Sequence, residues 1–112
     1  MTKIINFADY QKQAARTMKP GRLLKEDLAD YAMGLSGEVG ELLNKIKKNL
    51  FHHHFLSYDE IAEEIGDCLW YLHAIATKFG LDMGEIAWQN IEKLKKRYPH
   101  GYTDEDSRNR IV

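Results

Sequence analysis

The chain has 112 residues, with 16 basic and 17 acidic side chains and a formal charge of −1. This length predicts one domain, residues 1–112, with a core so modest that self-association would help to stabilise it. The balanced charge gives no electrostatic reason to expect a nucleic-acid partner. The one cysteine, Cys68, excludes an internal disulfide and fits a reducing compartment.

The amino-terminal segment carries polar residues where a signal peptide requires an apolar core. No apolar run approaches the roughly 20 residues of a membrane span. We therefore expect a cytoplasmic protein with no membrane partner.

Helical periodicity predicts four helices and no strands. Their approximate bounds are 7–18, 25–50, 57–79 and 82–98. Pro20-Gly21 and Gly80 separate them as turn signals, and Ser57 or Asp59 can cap the third helix. From about residue 100 the chain is polar and predicts a loosely attached tail. The expected fold is all-α, a compact bundle of about four helices that oligomerises.

Apolar stripes mark the expected core faces of the two central helices. The stripe of the second helix contains Leu28, Leu35, Leu42 and Ile46, and that of the third contains Ile61, Ile65, Cys68, Leu72, Ile75 and Phe79. Three glycines interrupt the second helix at positions 34, 37 and 40, each at a cost of roughly 1 kcal/mol relative to alanine. We expect one continuous helix, in which the missing side chains let a ligand or a helix approach closely; a break near Ser36-Gly37 is the alternative.

Two pairs of acids lie beside these core stripes. Glu38/Glu41 and Glu64/Asp67 are each spaced i, i+3, which puts their β-carbons roughly 5–6 Å apart on one helix face. Four carboxylates brought together repel strongly unless cations lie among them. Mg²⁺ prefers oxygen ligands and often completes its shell with substrate phosphates. The sequence thus predicts a phosphate-handling metal site on two helices.

The order of four segments resembles the MazG-like branch of the all-α nucleoside triphosphate pyrophosphohydrolases. These segments are GLSGEVGEL, IKK, EEIGDCLWYL and NIEKLKKRYPHGY, and the resemblance runs from about Tyr10 to Tyr102. The family signature is E-x-x-E followed 12–28 residues later by E-x-x-D, and here 22 residues separate Glu41 from Glu64. One such pair alone would carry little weight, because surface helices are rich in these spacings.

This resemblance implies Mg²⁺-dependent hydrolysis of a nucleoside triphosphate to the monophosphate and pyrophosphate, in the service of clearing noncanonical or surplus nucleotides. It puts Glu38, Glu41, Glu64 and Asp67 around the metal, with Mn²⁺ as a substitute ion. Glu38 is the expected general base because it opens the motif, although spacing alone does not separate a base from a ligand. The resemblance also implies a homodimer, or a homotetramer made of two dimers.

Four further residues are candidates for substrate contact. The resemblance assigns Asn90 to the sugar or base and Lys93 to phosphate, whereas an exposed basic helix end is the simpler interpretation. Lys48 follows the acid stripe and Tyr71 shares the stripe of Glu64; a solvated lysine and a core tyrosine are the alternatives. The contiguous histidines 52–54 are assigned no role.

Two other functions are alternatives to nucleotide hydrolysis. A di-iron carboxylate bundle also collects acids from facing helices, but its Glu-x-x-His elements are missing from this sequence. The second alternative is a helical interaction module that has kept the fold but has no catalytic activity. The presence of all four motif acids argues against it.

Overall fold

The computed structural model describes residues 3–110, which form five α-helices and one 3₁₀ turn. The helices are α1 (Phe7–Ala14), α2 (Leu24–His52), α3 (Tyr58–Lys78), α4 (Met83–Arg97) and α5 (Asp104–Arg108), and the turn spans Ala15–Thr17. Within the described range the β-type pairing is one isolated bridge between Pro99 and Gly101, outside any strand. The all-α prediction is therefore confirmed.

Local capping explains where the helices begin. The side chain of Ser57 accepts a hydrogen bond from the backbone N–H of Glu60 (3.3 Å), and that of Asp82 accepts from Glu85 (2.9 Å). Both satisfy backbone donors that a helix start leaves without partners. Helix α2 continues through all three glycines without a break.

The polar tail contains one short helix, α5. Thr103 caps α5 by accepting a hydrogen bond from the backbone N–H of Asp106 (3.0 Å), and three acids occupy the first turn of this helix. Acids at a helix start suit the positive end of its dipole. The sequence did not predict this turn of helix, and the loose attachment of the tail stays a prediction.

Helices α2 and α3 form an antiparallel hairpin that ion pairs hold near both ends. Near one end Asp27, buried at 1% exposure, lies 2.8 Å from Lys78 and 2.7 Å from Arg22. These two cations hold the pKa of the Asp27 carboxyl below its usual value, with Lys78 as the larger cause. Near the other end Lys45 lies 3.4 Å from Glu60. The hairpin register is thus fixed by charge as well as by packing.

The amino-terminal segment packs across α3 and is held there by polar contacts. Gln11 donates to Thr77 (3.0 Å) and to the carbonyl of Leu81 (2.9 Å), and it accepts from the backbone N–H of Met83 (2.8 Å). Trp70 donates its indole N–H to the hydroxyl of Thr17 (2.7 Å). This brings the 3₁₀ turn beside the middle of α3.

Three of the six residues in the expected core stripe of α3 are exposed, and the other three are half-buried. Ile65, Leu72 and Phe79 are 54%, 47% and 58% exposed. The buried residues of the hairpin lie elsewhere: Asp27 and Tyr31 on α2, and Glu64, His73, Ala74 and Ala76 on α3. The prediction was wrong because α2 and α3 meet along the stripe that carries the acids and tyrosines, about a quarter turn from the apolar stripes.

Both apolar stripes consequently lie on the same side of the hairpin. In an antiparallel pair, equal rotations from the contact line lead to the same side of the plane of the two helices. The chain is also less compact than the expected bundle, with a radius of gyration of 17.2 Å against about 13 Å for a compact domain of this length. We call this exposed side of α2 and α3, with Ile46, Ile65, Leu72 and Phe79, the apolar face.

Within residues 3–110 no helix combines the length and the apolar character that crossing a membrane requires.

Candidate metal centre

Three of the four predicted acids converge between α2 and α3. Glu38 and Glu41 project from α2 and Glu64 projects from α3, and one carboxylate oxygen of each lies within 4.8 Å of the other two. Glu64 is buried, Glu38 is half-buried and Glu41 is exposed. Asp67 does not belong to this group of three, but it borders the same cavity as Glu38. These acids meet because the antiparallel hairpin brings their two stripes face to face.

Two oxygens of this acid group are buried without a hydrogen-bond partner: Oε2 of Glu38 and Oε2 of Glu64. Two carboxylates cannot donate to each other unless one of them holds a proton. A proton shared with Glu64 is the main reason why the pKa of Glu38 rises to about 7; burial and the charges of Glu41, Asp67 and Glu64 add to it. The group therefore needs a cation or a proton to be stable.

The chemistry of this donor set fits a hard divalent cation. All three converging groups are carboxylates, the ligands that Mg²⁺ and Mn²⁺ prefer, and no nitrogen or sulfur ligand from residues 3–110 joins them. His73 is fully buried elsewhere, with its ring 5.8 Å from that of Tyr10 and 5.4 Å from that of Trp70. The two orphaned oxygens are the places where such an ion would find its ligands.

Tyr71 lies next to the acids because Gly34 leaves room for it. A β-carbon at position 34 would overlap the ring of Tyr71, whereas β-carbons at Gly37 and Gly40 would meet no atom within 4 Å. The close approach of the Tyr71 ring to the backbone thus explains the glycine at position 34. Burial, with smaller contributions from Asp30 and other acids, raises the pKa of the Tyr71 hydroxyl. The hydroxyl therefore stays protonated and can donate a hydrogen bond.

One end of the acid group opens into a cavity of about 370 Å³ with aromatic walls. We call it the aromatic cavity; it is lined by Thr17, Glu38, Asp67, Trp70 and Tyr71. The indole of Trp70 is fixed by its hydrogen bond to Thr17 and by an edge-on contact with Tyr71, whose ring centroid is 5.1 Å away. No sequence signal pointed to Thr17.

The other end of the acid group leads to a cavity of about 200 Å³ with basic walls. We call it the lysine cavity; its lining includes Lys45, Lys48, His54, Ser57 and Glu60. Lys45 connects it to the acid group, because its Nζ lies 3.9 Å from Oε1 of Glu64. The position of Lys48 here agrees with its place on the acid stripe, while His54 was assigned no role from the sequence.

Asn90 and Lys93 lie apart from the acids in this chain. Both line a groove of about 570 Å³ between α3 and α4, whose walls include Leu69, Leu72 and Met83. None of the four acids borders this groove. Within one chain, the structure does not bring Asn90 and Lys93 to the acid group.

Similarity to known proteins decides the family. The model of the MazG nucleotide pyrophosphohydrolase domain matches residues 26–102. The chain belongs to the MazG nucleotide pyrophosphohydrolase family. This MazG chain is also 32% identical over 89 residues to the Gene 37 protein of Mycobacterium phage L5, covering 76% of this chain and 78% of that protein. No solved structure matches it.

Proposed function

We propose that this MazG-family protein hydrolyses nucleoside triphosphates, ribo or deoxy, to the monophosphate and pyrophosphate, with Mg²⁺ as cofactor. The observation that carries the proposal is the group of three carboxylates from α2 and α3, in which two buried oxygens lack partners. Such a group lowers the stability of the fold, so its presence indicates a functional site. Membership of the MazG family supports this reaction class.

Glu38, Glu41 and Glu64 would hold the ion, with Asp67 beside them on the wall of the aromatic cavity. When bound, Mg²⁺ would neutralise phosphate charge, polarise the α-phosphoryl group and lower the pKa of a water molecule. Mn²⁺ has the same preference for oxygen ligands and is the expected substitute.

Glu38 is the residue that we propose as general base. In the reaction, a water oxygen forms a bond to the α-phosphorus, the bond from this phosphorus to the α,β-bridging oxygen breaks, and pyrophosphate leaves. The proton of the water passes to Oε2 of Glu38, which is buried and has no donor of its own. Glu38 belongs to the acid group that would hold the ion, and a positioned carboxylate there can take the proton of the attacking water.

The aromatic cavity suits a nucleoside. Trp70 offers an aromatic wall for stacking, and Tyr71 offers a hydroxyl donor for a sugar or phosphate oxygen. Thr17 keeps the indole of Trp70 in place through a 2.7 Å hydrogen bond. We infer that this side of the acid group faces the base and sugar.

Self-association is part of the proposal. The apolar face exposes Ile65, Leu72 and Phe79 to about half their area, and exposed apolar surfaces of this kind mark interaction sites. A second copy would cover this face, giving a homodimer or a pair of dimers. Leu72 also lines the groove of Asn90 and Lys93, so these two residues would lie at the subunit contact, where we propose that they reach the substrate.

Product analysis tests the function. Purified protein is incubated with each common nucleoside triphosphate and Mg²⁺, and pyrophosphate and monophosphate are quantified. We expect both products in equal amounts, with loss of activity in Glu38→Gln. If wild type and variant are equally inactive on every nucleotide, the proposal is wrong and a non-catalytic helical module becomes the better account.

A further inference from the structure

The residues that lie between α2 and α3 change along the hairpin from aromatic to acidic to basic. On α2 the acids Glu38 and Glu41 are followed by Lys45 and Lys48 on about the same stripe. At 1.5 Å per residue, Lys48 lies about 10 Å along the helix from Glu41. Since α3 runs in the opposite direction, its residues follow the same order from Tyr71 through the acids to Glu60. The aromatic cavity, the acids and the lysine cavity therefore lie in one line.

The lysine cavity is held in shape by the connection between the two helices. His54 donates its backbone N–H to the carbonyl of Lys48 (3.1 Å), and Asn49 donates its side-chain amide to the carbonyl of His54 (2.9 Å). Phe55, Leu56 and Ile61 supply apolar parts of the wall. These hydrogen bonds fix the connection between the two helices, and a wall fixed in this way reduces the ordering cost of binding.

The balance of charge in this cavity favours an anion. Two lysines, Lys45 and Lys48, line it against one acid, Glu60. Glu60 is already paired with Lys45 at 3.4 Å. Lys48 forms no ion pair with any residue in the range 3–110. The cavity volume of about 200 Å³ equals that of about seven water molecules at about 30 Å³ each, enough for a phosphate chain of two units.

We propose that the lysine cavity binds the two terminal phosphates of the nucleotide and then the pyrophosphate product, with Lys48 as its main cation. This inference rests on the proposed function and deepens it, because it orients the substrate: nucleoside at the aromatic cavity, α-phosphate at the acids, pyrophosphate at the lysines. Lys45 bridges the two parts, since it contacts both Glu64 of the acid group and Glu60 of the cavity wall.

Calorimetric titration with pyrophosphate in constant Mg²⁺ tests the pocket without requiring turnover. We expect Lys48→Gln to bind pyrophosphate about tenfold more weakly than wild type, the loss typical of one charge-assisted hydrogen bond. Lys48→Arg should retain most of the affinity because it keeps the charge. Lys47→Gln is the matched control, because Lys47 is the preceding exposed lysine of α2 and does not line the cavity.

The outcomes separate this inference from the proposed function. If wild type does not bind pyrophosphate, or if Lys47→Gln weakens binding as much as Lys48→Gln, the pocket assignment is wrong even where nucleotides are hydrolysed. If pyrophosphate binds with the expected dependence on Lys48 but no nucleotide is hydrolysed, the pocket assignment as a pyrophosphate site stands and the proposed reaction fails.

Discussion

Replacing Glu38 by glutamine should stabilise the metal-free protein at about pH 8 and weaken its response to Mg²⁺. Glutamine has nearly the shape of glutamate, carries no charge, and can donate a hydrogen bond to Glu64. The substitution thus imitates the protonated state of Glu38 and removes one charge from a crowded acid group. A purely structural glutamate on a solvated helix face would show neither effect.

The size of the gain follows from the geometry. Two unit charges 4.8 Å apart repel by about 3.5 kcal/mol at an effective dielectric constant of about 20, and by about 0.9 kcal/mol in bulk water. The repulsion from exposed Glu41 lies near the lower figure, and that from buried Glu64 lies higher. We expect the free energy of unfolding to rise by about 1–3 kcal/mol, or about 4 °C in Tm for each kcal/mol.

The folding stability of the metal-free protein should change with pH in one direction. Because the pKa of Glu38 is raised from 4.5 to about 7 in the folded protein, the folded protein keeps a proton that the unfolded chain has lost. The stability of metal-free wild type should therefore fall as the pH rises through this interval. Glutamine does not titrate, so the difference between variant and wild type should open over the same interval.

Thermal melting at one protein concentration measures these effects, with a chelator in one series and Mg²⁺ in the other. Wild type should gain Tm with increasing Mg²⁺ through mass action, and Glu38→Gln should gain much less. A variant that is less stable than metal-free wild type at about pH 8, or equal stabilisation of both proteins by Mg²⁺, would show that Glu38 is not part of a crowded acid group that binds the ion.

Two further substitutions, each with a matched control, test the close approach of Tyr71 to Gly34 and the role of the apolar face. Gly34→Ala should lower the free energy of unfolding by up to about 2 kcal/mol, because overlap with Tyr71 outweighs the gain in helix propensity, whereas Gly40→Ala in open space should raise it by about 1 kcal/mol. Urea denaturation measures both, and equal stabilisation would contradict the close approach of Tyr71. Leu72→Glu should turn the proposed oligomer into monomers in sedimentation velocity, while Met33→Glu, 70% exposed on the opposite side of α2, should not. A monomeric wild type would argue against self-association through the apolar face.

The sequence predicted the helices well because their signals are local. Capping by Ser57 and Asp82 involves side chains and backbone donors within three residues of each other. The convergence of Glu38, Glu41 and Glu64 followed from spacing and the antiparallel hairpin together. These features depend on the spacing of residues that are close in the sequence, and the helical periodicity shows that spacing directly.

The remaining features depend on which helix faces meet, and periodicity does not fix that choice. Ile65 and Leu72 form an ideal apolar stripe, yet the hairpin closes on the stripe of Glu64 and leaves them exposed. Thr17 is 53 residues from Trp70 in the sequence, so no local pattern could reveal their contact. His54 contributes to the lysine cavity only because α2 ends beside it.

The phosphate products show which bond of the nucleotide is broken and whether the acid group and its ion are required. A radiolabelled or chromatographically resolved nucleoside triphosphate is incubated with Mg²⁺, with Mg²⁺ removed by a chelator, and with Glu64→Gln. The account predicts monophosphate and pyrophosphate in equal amounts, only with the ion and only with Glu64 intact. Release of diphosphate and inorganic phosphate, or turnover that survives either removal, would contradict it.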